Sequence, residues 1–242
     1  MYKLNKKISE LEPYSPITGS YRVRLDANEC CFNLPQDMLD QIKNAVENID
    51  YNRYPDPYAT ELCSAFANYY GISPENVTVF NGSDELITLL MTTFMMAGET
   101  LVTVEPDFSM YRFYASLAEL KCVSVPKNED LTINIDTVIK TVNESGARGV
   151  VFSNPCNPTS KGISREDVIK LITSVDALVI MDEAYMDFWD SSVLDLVNDY
   201  DNLIVMRTAS KAIGAAAIRL GFAVANKVNS NALKAVKSPY NV

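Results

Sequence analysis

Seven short apolar runs punctuate this chain, and the spacing of the last two constrains its fold more tightly than any other feature. The runs are Val77–Phe80, Leu101–Val104, Cys122–Val125, Gly149–Ser153, Ala177–Asp182, Leu203–Met206 and Leu220–Ala225. Stretches with helical spacing separate the earlier ones, and that alternation predicts a mainly parallel sheet with helices on both faces, an α/β three-layer sandwich. The final connection is different. Only ten residues lie between Thr208 and Arg219, fewer than the dozen or so that a right-handed helical crossover needs. The seventh strand is therefore expected to run antiparallel to its neighbour.

The helical stretches carry apolar stripes. Pro35 opens one with Met38, Leu39, Ile42, Val46 and Ile49 on one face, expected to be scaffold packed beneath a polar surface. A proline-rich turn, Asn52–Pro57, leads to a helix with Leu62, Ala65, Phe66 and Tyr69 that Gly71 ends. Leu86, Leu89, Leu90 and Phe94 mark another, stopped by Gly98, and Tyr111, Tyr114 and Leu117 form an aromatic stripe of the kind that normally fills a core. Further helices are expected over Ile133–Val142, after the Ser164/Asp167 cap with Val168, Leu171 and Ile172, and over Asn229–Val236. Met1–Arg24 has no periodicity and contains Pro13, Pro16 and Gly19, so it reads as an arm laid on a surface and anchored by Tyr14.

Composition removes several classes of function. At 242 residues and 48% hydrophobic content the chain can bury a sizeable core. Its net charge of −10, with no basic cluster, argues against nucleic acid as a partner. The absence of histidine excludes a Ser-His-Asp triad, a Cys-His pair and every histidine metal site, leaving proton transfer to lysine, tyrosine or carboxylates. Five cysteines without C-x-x-C spacing point to free thiols, and no apolar segment of membrane length or signal character is visible. A cytoplasmic protein is the expectation.

The chemistry gathers at two strand ends. Leu203–Met206 runs into Arg207-Thr208-Ala209-Ser210-Lys211, and Arg219 follows before the next strand. Ala177–Met181 runs into Asp182, Glu183 and Tyr185. Taken alone, Lys211 reads as an ordinary solvated loop lysine. Adjacent strands that deliver an amine, a carboxylate and a phenol to one sheet edge suit pyridoxal phosphate, which needs a lysine for a Schiff base and an acid to keep its ring nitrogen protonated. The turn Asn81-Gly82-Ser83-Asp84 between strand and helix adds an anion site: the N–H groups of Gly82, Ser83 and Asp84 suit a phosphate, provided that the Asp84 and Glu85 carboxylates point away.

SKAIGAAAIRLGF, MDEAY, NPCNPTS, NGSDE and NRYP, in this family's order, resemble the histidinol-phosphate aminotransferase family of fold type I pyridoxal phosphate enzymes. The resemblance implies the fold type I large domain, a seven-stranded mostly parallel sheet with one antiparallel strand. It implies Lys211 as the Schiff-base lysine, Asp182 on the ring nitrogen, Tyr185 and Asn157 on the ring oxygen and Phe108 against the ring face. Ser210, Arg219, the Gly82–Asp84 turn and, across a homodimer interface, Tyr54 would hold the phosphate. The arm, with Tyr14 and Asn28 of LDANE, would cover the substrate. Cys30-Cys31, Cys156 and Ser160 depart from the family's usual residues. The implied organisation is an arm and first helix over 1–50 and a cofactor-binding large domain over 51–242, without the C-terminal small domain that supplies a substrate-binding arginine. The implied reaction joins histidinol phosphate, an amino substrate, to 2-oxoglutarate, a 2-oxo acid. The alternatives are a related enzyme acting on another amino acid, an amino-acid-phosphate decarboxylase, or a non-catalytic cofactor-binding module. No G-x-G-x-x-G follows any strand, which disfavours a dehydrogenase.

Overall fold

The computed structural model describes residues 2–241; Met1 and Val242, the outer limits of the two expected segments, lie outside them. All seven predicted strands form one sheet: β1 (Val77–Asn81), β2 (Thr100–Glu105), β3 (Lys121–Pro126), β4 (Gly149–Ser153), β5 (Leu178–Asp182), β6 (Leu203–Thr208) and β7 (Leu220–Ala225). Their order is β1-β7-β6-β5-β4-β2-β3. The pairs β2–β3, β2–β4, β4–β5 and β5–β6 are parallel. Strand β7 is antiparallel to both neighbours, with Thr208 opposite Gly221 on one side and Asn81 opposite Leu220 on the other. The short connection from β6 thus had the consequence that its length dictates.

The helices are α1 (Lys6–Ser9), α2 (Gln36–Glu47), α3 (Thr60–Tyr70), α4 (Ser83–Leu89), α5 (Met110–Leu117), α6 (Ile135–Ser145), α7 (Arg165–Ser174) and α8 (Lys227–Val236), and those from α3 onward cover both faces of the sheet. A π turn, Leu90–Phe94, continues α4. The strand pleat divides the core into two layers. Val102, Val104, Val150, Phe152, Val179, Met181, Leu203, Val205, Phe222 and Val224 face α3, α6 and α7. Leu101, Val151, Ile180, Ile204, Met206, Ala223 and Ala225 face α4, α5 and α8. Because β4 to β6 are buried on both faces, they read in sequence as continuous apolar runs rather than alternating ones.

One expectation is corrected. Helix α2 forms where the stripe predicts it, but no residue of it is buried. Met38, Ile42, Val46 and Ile49 are 42–52% exposed. The periodicity identified which face of the helix is apolar, but the sheet's two layers are filled by other helices. Residues 2–58 contain no buried side chain at all.

Candidate active site

The ends of the parallel strands open into a cleft of about 430 Å³, lined by residues from seven separate stretches of the chain. Side chains collect there because all the parallel strands point the same way, so their following loops share one edge of the sheet. Lys211, Ser210, Arg219, Asp182, Tyr185, Asn157, Ser83, Asp84, Phe108, Tyr14 and Asn28 all line it. Gly82 does not line the cleft, but it borders the same edge.

Asp182 ends β5 and is 5% exposed. Its Oδ1 accepts from the Ala184 N–H at 3.0 Å and its Oδ2 from the Tyr111 hydroxyl at 2.6 Å. Burial pushes its pKa up to about 6, against the pull of these two donors. The neighbouring Glu183 turns the other way, into a buried pair with Arg207 at 3.0 Å, and its oxygens accept from Ser192 Oγ and Val193 N. Adjacent acids at the end of β5 therefore serve opposite sides, one lining the cleft and one in a buried pair with Arg207.

Lys211 follows β6 in a turn closed by the Gly214 N–H on the Lys211 carbonyl. Its Nζ donates to the Ala27 carbonyl at 2.9 Å and lies 5.8 Å from the Tyr185 ring centre. Burial lowers its pKa first, Glu29 opposes that, and Arg219 lowers it further. A larger share of neutral amine is the result, which is what a nucleophilic lysine requires. The Tyr185 hydroxyl accepts from Asn28 Nδ2 at 3.0 Å, and burial raises its pKa, so the phenol keeps its proton.

The Gly82 turn and the start of β7 are built against each other. A Cβ on Gly221 would sit 2.6 Å from the Gly82 carbonyl carbon, and one on Gly82, at φ +79°, would sit 2.5 Å from Arg219 Nη2. Glycine at both positions lets the guanidinium reach the turn. Glu85 folds back onto the Asn81 N–H at 2.6 Å. Asp84 does not point away: it pairs with Arg219 at 3.3 Å inside the cleft. Arg219 Nη1 also donates to Ser210 Oγ at 3.5 Å.

Asn154 and Asp107 stiffen the corners that carry Asn157 and Phe108. Asn154 clamps both backbone groups of Ile163 across the loop after β4, and Asp107 accepts from both the N–H and the hydroxyl of Ser153. Ser160 holds φ +55°, a conformation that glycine adopts without strain. Cys156 is buried beside Lys127 Nζ at 2.8 Å, and Cys30 packs against Gly214.

Tyr54 is not brought to this cleft. It is 81% exposed and stacks on Tyr240 with ring centres 4.5 Å apart. Tyr111, by contrast, belongs to the site although its helical spacing marked it only as core. It does fill the core, at 1% exposure, but its hydroxyl faces Asp182. Its ring also meets Phe108 edge to face, with centres 5.5 Å apart, a contact that no sequence spacing announces.

Comparison with known proteins agrees with this geometry. A family model described as aminotransferase class I and II matches residues 22–242. A histidinol-phosphate aminotransferase of Clostridium novyi is 43% identical over 237 residues, covering 98% of this chain and 67% of that protein. One from Clostridium kluyveri is 38% identical over 242 residues, covering 100% of this chain and 68% of that protein. Among solved structures, the histidinol-phosphate aminotransferase of Sinorhizobium meliloti in complex with pyridoxal-5'-phosphate superposes with a TM-score of 0.83 at 25% identity, covering 89% of this chain and 59% of that one. The chain thus spans about two thirds of the length of its curated relatives and less of the solved one. It belongs to the aminotransferase class I and II family and, within it, to the histidinol-phosphate aminotransferases.

Proposed function

We propose that this chain is the cofactor-bearing part of an aminotransferase that uses pyridoxal phosphate to exchange an amino group between histidinol phosphate and 2-oxoglutarate. The observation that carries the reading is the single cleft in which Asp182, from the end of β5, faces Lys211 and Arg219, from the loop between β6 and β7. The donor set fits the cofactor: an amine of lowered pKa, a buried acid, a protonated phenol and a guanidinium face one another across about 430 Å³. When bound, the cofactor supplies an aldehyde for amines and a ring that withdraws electrons from the substrate α-carbon.

The chain's own residues do the rest. Lys211 Nζ would be the point of attachment for the cofactor's aldehyde and, once freed, would be the base that moves the proton to and from the substrate α-carbon. Asp182 would hold the proton on the ring nitrogen, Tyr185 and Asn157 would hold the ring oxygen, and Phe108 would pack on the ring, an aromatic contact that adds about 0.5–1.5 kcal/mol beyond buried area. Arg219, Ser210 and the Gly82–Asp84 turn take the phosphate, with Asp84 competing for Arg219. Tyr14 and Asn28 lie on the substrate side. The division of the chain into an arm with first helix (1–50) and a cofactor-binding part (51–242) is part of the same reading.

A second copy of the chain completes the site in this reading, with Tyr54 donating to the neighbour's phosphate. The exposed hydroxyl and the uncovered α2 stripe support it. Cytoplasmic location is also proposed. Among the described residues no helix is long and apolar enough to cross a membrane, and all five cysteines are free.

Mixing the chain with pyridoxal phosphate and reducing with borohydride should leave a modified peptide containing Lys211. Lys211→Ala should abolish the adduct, and an adduct that persists would move the attachment elsewhere. Tyr54→Phe should speed cofactor loss only in a confirmed dimer, and no change there would remove the shared site.

A further inference from the structure

Asp182 is the end of a buried relay rather than an isolated acid. Its Oδ2 meets the Tyr111 hydroxyl at 2.6 Å, and Tyr111 is 1% exposed on α5, a helix that brings no other polar group to this carboxylate. Burial and the nearby carboxylates of Asp182 and Asp107 raise the Tyr111 phenol well above its ordinary pKa, so the hydroxyl always carries its proton. When Asp182 is ionised it has only acceptor oxygens, so the hydroxyl donates to the carboxylate.

We propose that Tyr111 is a positioning residue for the aminotransferase reaction, its hydroxyl orienting Asp182 and holding it as the anion that the cofactor's ring nitrogen requires. This rests on the function proposed above. Among the described residues no cationic side chain bonds Asp182. The groups that act on it are Tyr111 on α5, Asp107 from the β2–α5 corner and Glu183 just after β5, with the Ala184 N–H. Tyr185 and Lys211 feel its charge in turn from the following loop and from the β6 end, and Cys156, after β4, acts on Tyr111 and Tyr185. Two of the groups acting on Asp182 are acids that oppose its ionisation, and the hydroxyl is the strongest opposing donor. A neutral hydroxyl at this place favours the anion without placing a second positive charge beside the ring nitrogen.

Tyr111→Phe removes the hydroxyl and keeps the ring. In cofactor-free protein, the infrared carboxylic band of Asp182, assigned by its loss in Asp182→Asn, should titrate about one pH unit higher in Tyr111→Phe than in the parent. In cofactor-loaded protein, release of pyridoxal phosphate should quicken about tenfold for Tyr111→Phe, and the hydroxyl's loss should change nothing further when Asp182 is already Asn. An unshifted band, or additive effects in the double variant, would reduce Tyr111 to packing. If the Phe variant does not fold, the Tyr111 ring-carbon resonance of the parent protein should follow the Asp182 titration, and a flat resonance would overturn the proposal. Failure of the parent chain to take up pyridoxal phosphate would instead count against the function, because the cofactor-free titration does not depend on it.

Discussion

Residues 2–58 and the sheet that follows are both rich in apolar side chains, yet they use them in opposite ways. In the sheet, Phe152, Val151 and Ile180 are at most 1% exposed. In the first segment, Tyr14, Leu25, Phe32 and Tyr54 are 78–86% exposed. Both segments have amphipathic helices, and α6 buries Ile135, Val138 and Val142 while α2 buries nothing. The difference teaches that a periodic stripe states a demand for cover, and that the topology of the chain decides whether the chain itself meets it.

Matched substitutions sharpen the contrast. Phe152→Ala should cost about 3–5 kcal/mol through lost contacts and a cavity, read as a lower denaturation midpoint. Ile42→Ala on α2 should leave that midpoint within about 0.5 kcal/mol for the monomer. A large loss at Ile42 in dilute monomer would show that the first segment packs as tightly as the sheet. Next in size, Arg207→Met strands Glu183 as a buried, unpaired charge and should cost about 3–5 kcal/mol. The exposed pair of Arg24 with Asp26 at 2.9 Å should tolerate Arg24→Met with no measurable change.

Acidity should separate the regions by sign. Burial raises Asp182 from 3.8 to about 6, and raises Asp107 and Glu183 as well. Between those two values the folded chain holds an Asp182 proton that the unfolded chain has released, so Asp182 makes stability fall as pH rises toward 6, and Asp107 and Glu183 act in the same direction. Asp26, lowered by Arg24, acts in the other direction, and its contribution is lost as pH falls through its depressed pKa. Denaturation midpoints from pH 4 to 7 should show the first slope, and Asp182→Asn should flatten part of it. The smallest contrast is at helix caps. Asn134 accepts from Thr137 N at 3.1 Å to cap α6, and Asn134→Ala should cost about 1 kcal/mol. Asn5→Ala, at the four-residue α1, should leave global stability unchanged.

Most of the sheet was legible in the sequence because strand runs and connection lengths are local quantities. The ten residues after Thr208 were enough to predict the one antiparallel strand. Lys211, Asp182, Tyr185 and Arg219 were legible as strand-end residues of the right chemistry. What escaped was set by distance across the fold. Tyr111 has the spacing of a core residue and is one, and nothing local reveals that its hydroxyl ends on Asp182. The pairing of Asp84 with Arg219 depends on β7 crossing beside the Gly82 turn, which no local pattern encodes.

The register of β6 with β7 has a mechanical corollary. Lys211 and Arg219 hang from one loop whose two ends are stapled together at Thr208 and Gly221. The Ala27 carbonyl accepts from the amine at 2.9 Å, so the first segment and this anchored loop meet at Lys211. The amine and the guanidinium therefore share one backbone closure, and the first segment touches it from outside.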